Sequence, residues 1–329
     1  MNKVWFPSSS TARIATVLVL ACAVIWPLLF TSRFGLSLGV LVGLNMIGAV
    51  SLHLIIRTGH ISLGHAAFMG VGGYACVLFA MKTGLPAWIG LAVGMVAPAI
   101  LAMIVGPIVL RLTGKYFVLV TFLLGEIVRL VFVEWISVTG GANGILEVPA
   151  LHPKLDSAFA MYYVILAFAV VCVGFSAALL RSEYGRIIDS VREAPNISEA
   201  AGIPVLAVKV RVFVIACAMA GLQGGLLALY LKYIDPNTYA IQVSLNLVVM
   251  NIIGGMYNIV GPLIGAVFLV ALPELLRGFV EIQQIIFGVV LIVVMASFPG
   301  GMVEIYDRVG RAWARRRLRA AESGKEKLA

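Results

Sequence analysis

The chain has 329 residues, of which 61% are hydrophobic and 12% charged, with a formal net charge of +9 and a mean hydropathy of +1.05. No water-soluble core of this length can hide so much apolar side chain, which excludes a soluble globular domain. Its basic balance does not point to nucleic acid, because the positive charges stand at the edges of apolar blocks without an aromatic-basic face; the partner they imply is a lipid bilayer.

Apolar blocks recur from Arg13 to Phe298, and no polar break between them is long enough to link separate folded bodies. This pattern gives one transmembrane domain over residues 1–307, followed by a basic tail over 308–329. Each crossing needs about 20 apolar residues to span a hydrocarbon core of about 30 Å. The first crossing lies near Ile14–Phe30. Lys3 and Arg13 ahead of it, with Ala21-Cys22-Ala23 inside it, mimic a signal peptide, but the apolar run continues through Trp26 to Phe30, as an uncleaved anchor does. Further crossings follow near Phe34–Ile56, Ile61–Met81, Trp88–Leu110, Tyr116–Ile136, Ala160–Leu180 and Val210–Leu231, with the last at Ile285–Phe298. Between Ser244 and Leu276 the stretch is too long for one untilted span. Gly254-Gly255 and Gly261-Pro262 break it, so two short helices joined by a turn are predicted there. The fold class is an all-α, polytopic transmembrane helical bundle of about ten crossings, two of them short helices.

Charge bias gives the orientation. With the N-terminus inside, eighteen Lys and Arg residues fall on the cytoplasmic side, against Arg33, Lys82, Lys154, Lys232 and Arg277 on the other. An odd number of spans would place the basic tail outside, so both termini are expected in the cytoplasm. Small-residue ladders at Gly35, Gly39 and Gly43, at Gly221 and Gly225, and at Gly261 and Gly265 are expected first to let helices pack closely; a narrow solute passage is the second reading.

Nothing in the chain points to catalysis. Gly114-Lys115 is followed by Tyr116 instead of Ser or Thr, so no phosphate loop exists and no ATP site is expected in this chain. The four cysteines lie inside apolar blocks without paired ligand spacing, and the four histidines are scattered, which predicts no metal. Charges within spans are few. Glu126 and Arg129, three residues apart on one predicted helix, can pair with each other; a structural ion pair is the first reading and gating the second. Glu274 and Arg277 repeat that spacing after Pro273, where an interfacial cap is expected.

The longest predicted cytoplasmic loop runs from Arg181 to Arg211. Ile187, Ile188 and Val191 recur at helical spacing among charges from Tyr184 to Glu193, the pattern of a short amphipathic helix. Asn196 or Ser198 is placed to cap a second helix beginning near Glu199, which Gly202 and Pro204 would end. Such a loop either lies flat on lipid or docks into a cytoplasmic partner.

Glu199-Ala200-Ala201-Gly202 in this loop resembles the motif by which permeases of ABC importers contact their ATPases. Neighbouring runs narrow the resemblance: Ile61-Ser62-Leu63-Gly64-His65-Ala66-Ala67-Phe68, Tyr116-Phe117-Val118-Leu119-Val120-Thr121, Gly125-Glu126-Ile127, Thr139-Gly140-Gly141-Ala142-Asn143-Gly144, Ser182-Glu183-Tyr184-Gly185-Arg186 and Gly261-Pro262-Leu263-Ile264-Gly265-Ala266. Together, over about residues 34 to 300, they resemble the branched-chain amino acid permeases of the LivM type. The resemblance implies an importer subunit in a bacterial inner membrane for branched-chain or other hydrophobic amino acids. Its partners would be a second, related permease chain, two ATP-binding cassette subunits that use the ATP, and an extracytoplasmic solute-binding protein. It further implies ATPase coupling through Tyr184, Gly185, Arg186, Glu199, Ala200, Ala201 and Gly202. A pathway bordered by His60, Ser62, Gly64, His65, Phe68, Tyr116, Thr121, Glu126 and Asn143 is implied as well. The chain departs from the family pattern at Ile56-Arg57-Thr58-Gly59-His60 and at Met256-Tyr257-Asn258-Ile259. A permease of the same family for urea or short amides is one alternative; an ion-coupled secondary transporter, which has no need of an ATPase dock, is another.

Overall fold

A computed structural model describes residues 21–28, 32–152, 157–276, 283–297 and 301–302. Residues 21–28 form helix α1. Then come α2 (Arg33–Arg57), α3 (His65–Thr83), α4 (Ala87–Val109), α5 (Lys115–Glu134) and the single turn α6 (Ile136–Thr139). α7 (Ala158–Arg181), α8 (Glu183–Glu193), α9 (Pro195–Ala200) and α10 (Val205–Leu231) follow, then α11 (Ile241–Gly254), α12 (Val260–Leu275) and α13 (Gln283–Ser297). Six of these, α2, α3, α4, α5, α7 and α10, are long and apolar enough to cross a membrane, and α12 and the middle of α13 are shorter apolar helices. The chain is an all-α, polytopic bundle. The long Ser244–Leu276 stretch does divide into two short helices, with Gly255 at φ 122° in the turn between them. Of the first crossing only residues 21–28 are described; Phe298, Arg277 and the basic tail lie outside the described residues.

α2, α3, α4 and α10 form the centre, and both α7 and the α11–α12 hairpin pack against α2. Lipid offers no hydrophobic drive for helix association, so close backbone approach and shape must hold such a bundle. Gly72, Gly94 and Gly221 meet where α3, α4 and α10 converge, and a Cβ on Gly221 would collide with the Gly94 carbonyl and the Pro98 ring. Gly39 and Gly43 receive Tyr162 and Ile165 of α7, and a Cβ on Gly265 would strike the Met250 carbonyl of α11. All three glycine ladders thus sit at helix contacts.

Two spans start elsewhere than hydropathy suggests. α3 begins at His65, four residues after Ile61: the Leu63 amide ahead of it donates to Thr121 Oγ1 (3.2 Å), and the Ala66 amide, free in the first turn, donates to Ser244 Oγ (2.8 Å). α10 begins at Val205, right after Pro204, so Lys209 and Arg211 lie on a helix and not in the loop. The loop between spans is accordingly shorter than Arg181–Arg211.

One end of the bundle carries a small ribbon, β1 (Ile145–Leu146) antiparallel to β2 (Tyr233–Ile234), with Ile145 opposite Ile234. The Thr139–Gly144 motif leads into it, and Gly140, Gly141 and Gly144 all have positive φ, which explains three glycines in five residues. The opposite end, the loop end, carries α8 and α9.

Candidate functional site

α8 is amphipathic, as the spacing predicts, but its apolar face lies on the bundle and not on open surface. Ile188 and Val191 are fully buried, and Gly185 passes so close under α7 that a Cβ would collide with the Leu180 carbonyl. Arg186 is exposed and pairs with Glu183; Tyr184 packs partly against the core.

α9 corrects the expected second helix. It starts at Pro195, where a fixed φ and a missing amide suit the first helical position, and neither Asn196 nor Ser198 caps it. It ends with Ile203 N donating to Ser198 O and Gly202 N to Glu199 O, both 3.0 Å, with Gly202 at φ +83°. That is a Schellman ending. Glu199 therefore stands in the last turn, at the negative end of the helix, and not at its beginning. Glu199, Ala200, Ala201 and Gly202 form one exposed block, joined by Ile197, which is 72% exposed and which spacing alone did not single out. Nothing lies within 4 Å of a Cβ placed on Gly202.

The nine pathway residues divide. His60, Ser62, Gly64, His65, Phe68 and Thr121 are buried around the start of α3. Ser62 Oγ accepts from Gly64 N at 3.3 Å, and His65 Nε2 lies 2.7 Å from Ser51 Oγ. His60 rests edge-on against Phe117, ring centroids 4.6 Å apart, and Phe68 against Phe213 at 5.4 Å. Tyr116, Glu126 and Asn143 lie apart from that cluster. Tyr116 is exposed at the start of α5 with Lys115 Nζ 5.5 Å from its ring centre, and exposed Asn143 offers its carbonyl to the Tyr233 hydroxyl beside the ribbon. Glu126 pairs with Arg129, whose Nε donates at 2.8 Å. Only Phe117 and Thr121 of the 20-residue α5 are buried in the chain.

Behind the α3 start runs a polar seam whose residues on α2 and α11 lie outside the family-like motifs. Asn251 of α11 donates to Ala49 O at 3.0 Å and faces His53 Nδ1 at 3.2 Å, while Ser244 of the same helix holds Ala66. The available signal was a polar residue alone in an apolar stretch.

Apolar helices that pack through glycine, with a two-helix loop clamped to one end, define a multi-pass α-helical membrane protein. A family model described as "Branched-chain amino acid transport system / permease component" matches residues 36–295, and the chain belongs to that family. The chain is 26% identical over 323 residues to the "High-affinity branched-chain amino acid transport system permease protein LivM" of Escherichia coli (strain K12), covering 90% of this chain and 76% of that one. It is also 26% identical to the Salmonella typhimurium (strain LT2) protein of the same name, over 87% of this chain and 73% of the relative. A "Probable branched-chain amino acid transport permease protein LivM" of Methanocaldococcus jannaschii is 22% identical over 82% and 85% of the two chains. No solved structure matches.

Proposed function

We propose that this chain is the membrane-spanning subunit of an ATP-driven importer for branched-chain or other hydrophobic amino acids. A second, related permease chain completes the pathway, two cytoplasmic ATPases drive it, and an extracytoplasmic binding protein delivers solute. The observation that carries this reading is the loop between α7 and α10. Its first helix is clamped to the bundle, and its second exposes Ile197 and the run Glu199 to Gly202, with Ser198 turned inward. A surface that projects yet is rigidly seated suits a partner that pushes; a carrier driven by an ion gradient has no use for one.

The outward face of α5 is the proposed pathway wall. Glu126 and Arg129 are partly exposed near the middle of an apolar helix, where contact with hydrocarbon is costly, so that face suits a polar passage or the second permease better than lipid. Two of the departing residues, Arg57 and Tyr257, meet each other at the loop end. The urea or amide alternative therefore gains no support from them.

The test is reconstitution with the ATPases, the second permease and the binding protein. Leucine uptake is expected to require ATP and to stop when the ATPase is inactivated, with valine and isoleucine competing and urea not. Uptake by this chain alone under an ion gradient would move it to the secondary carriers.

A further inference from the structure

Three segments meet under α8. Arg57, the last residue of α2, is buried, its side chain only 6% exposed. One arm of its guanidinium, Nη2, donates to Asp189 of α8; the other, Nη1, donates to the carbonyl of Tyr257 at 2.8 Å in the turn between α11 and α12. Arg192, one turn beyond Asp189 on α8, lies over the Tyr257 ring with its guanidinium carbon 5.0 Å from the centroid. It also pairs with Glu193 at 2.9 Å, so two cations and two carboxylates balance at this point. Arg57 and Tyr257 both stand where the chain departs from the family pattern.

A buried ion pair is weak evidence for stability, because desolvation cancels much of the attraction; what it fixes is geometry. A guanidinium is planar and rigid, so its two arms cannot move independently. Displacing Asp189 must either drag the Tyr257 carbonyl with it or leave a buried charge without its partner. Beyond Tyr257, α11 carries Asn251 and Ser244, which hold Ala49 of α2 and the first turn of α3. We propose that Arg57 is a positioning residue: the joint through which movement of α8 reaches the α11–α12 hairpin and, from there, the start of α3. This rests on the reading of the α8–α9 loop as the ATPase-driven segment.

The experiment uses the complete reconstituted transporter and compares solute uptake per ATP hydrolysed, together with co-purification of the ATPase. Arg57→Gln is expected to keep the ATPase bound and its basal hydrolysis within about twofold, while uptake per ATP falls at least about tenfold. Arg57→Lys keeps a charge beside Asp189 but lacks a fork to span both acceptors, so an intermediate loss is expected. The decisive variant exchanges the pair, Arg57→Asp with Asp189→Arg. It restores the ion pair but removes the donor on α2, so position 57 no longer holds the Tyr257 carbonyl, since a carboxylate cannot donate. Abundance is expected to match the parent while uptake per ATP stays low. If the exchange restored coupling in full, the pair would be a structural contact only and the joint would be refuted; parental coupling in Arg57→Gln would refute it equally. Should Arg57→Gln fail to insert, the exchange variant still decides. Uptake by the native complex after ATPase inactivation would instead overturn the ATP-driven reading, whatever Arg57 does.

Discussion

The hydroxyl of Tyr239 donates to the carbonyl of Gly224 across 3.0 Å, about two turns before α10 ends, which places the start of α11 inside the bundle. Asp235 sets the turn that carries it: Oδ1 accepts from Asn237 N at 2.7 Å and Thr238 N at 3.1 Å, and Oδ2 from the Thr238 hydroxyl at 2.6 Å. Gly70 and Gly73 of α3 line the slot for the ring. Tyr239→Phe should cost about 1 kcal/mol, seen as a lower Tm of the purified chain. Gly73→Ala should cost more, because its Cβ would stand 2.5 Å from the Tyr239 oxygen. The double variant removes the atom that Gly73→Ala strikes, so its loss should be smaller than the sum of the two single losses. Strict additivity would show that the slot is not as tight as the geometry requires.

A second expectation concerns pH. His60, in the turn between α2 and α3, is held down to about 4, first by burial and then by the charge of Lys209. The unfolded histidine titrates near 6.5 and takes its proton first as pH falls. The stabilisation from a neutral His60 is therefore complete above about pH 6.5 and is lost progressively toward pH 4, up to about 3 kcal/mol. His60→Gln should flatten the fall in Tm between pH 7 and 4.5. Parallel curves for parent and variant would remove His60 as the cause.

Sequence made the long spans legible because 20-residue apolar runs have few alternatives in a bilayer, and α2, α4, α5 and α7 begin and end within two residues of their hydropathy limits. The starts of α3 and α10 were less legible, since they depend on Ser244, Thr121 and Pro204 rather than on apolarity. α8 could be read from its period. α9 was misplaced because six residues hold too little pattern, and a proline at the first helical position outweighed two good capping residues. The contact of Arg57 with Asp189 and Tyr257 spans 132 and 200 positions of chain, a separation that no local pattern encodes.

Orientation is tested by labelling single cysteines in intact cells. Asn143→Cys is exposed at the ribbon end and should react from outside; Ile197→Cys, exposed on α9, should react only after permeabilisation, as should Gly324→Cys in the tail. The opposite pattern would invert the charge-based orientation.

The last expectation separates docking from folding at α9. Glu199 stands in the final turn, near the negative end of the helix, so Glu199→Lys should favour the helix by roughly 0.3–1 kcal/mol. A loss of uptake in that variant cannot then be ascribed to a damaged helix. Gly202 differs, because its φ of +83° strains any residue with a Cβ, although nothing nearby would be struck. Gly202→Ala should cost about 1 kcal/mol locally and reduce uptake in part, and Gly202→Trp should add bulk to the exposed face and abolish it. For both sites membrane abundance should stay at the parental level, while ATPase co-purification and uptake fall together. If Glu199→Lys retained the ATPase and transported at the parental rate, the exposed residues Ile197 and Glu199 to Gly202 would not be the docking surface, and the projecting side of α8 around Glu183 and Arg186 would be the next to alter.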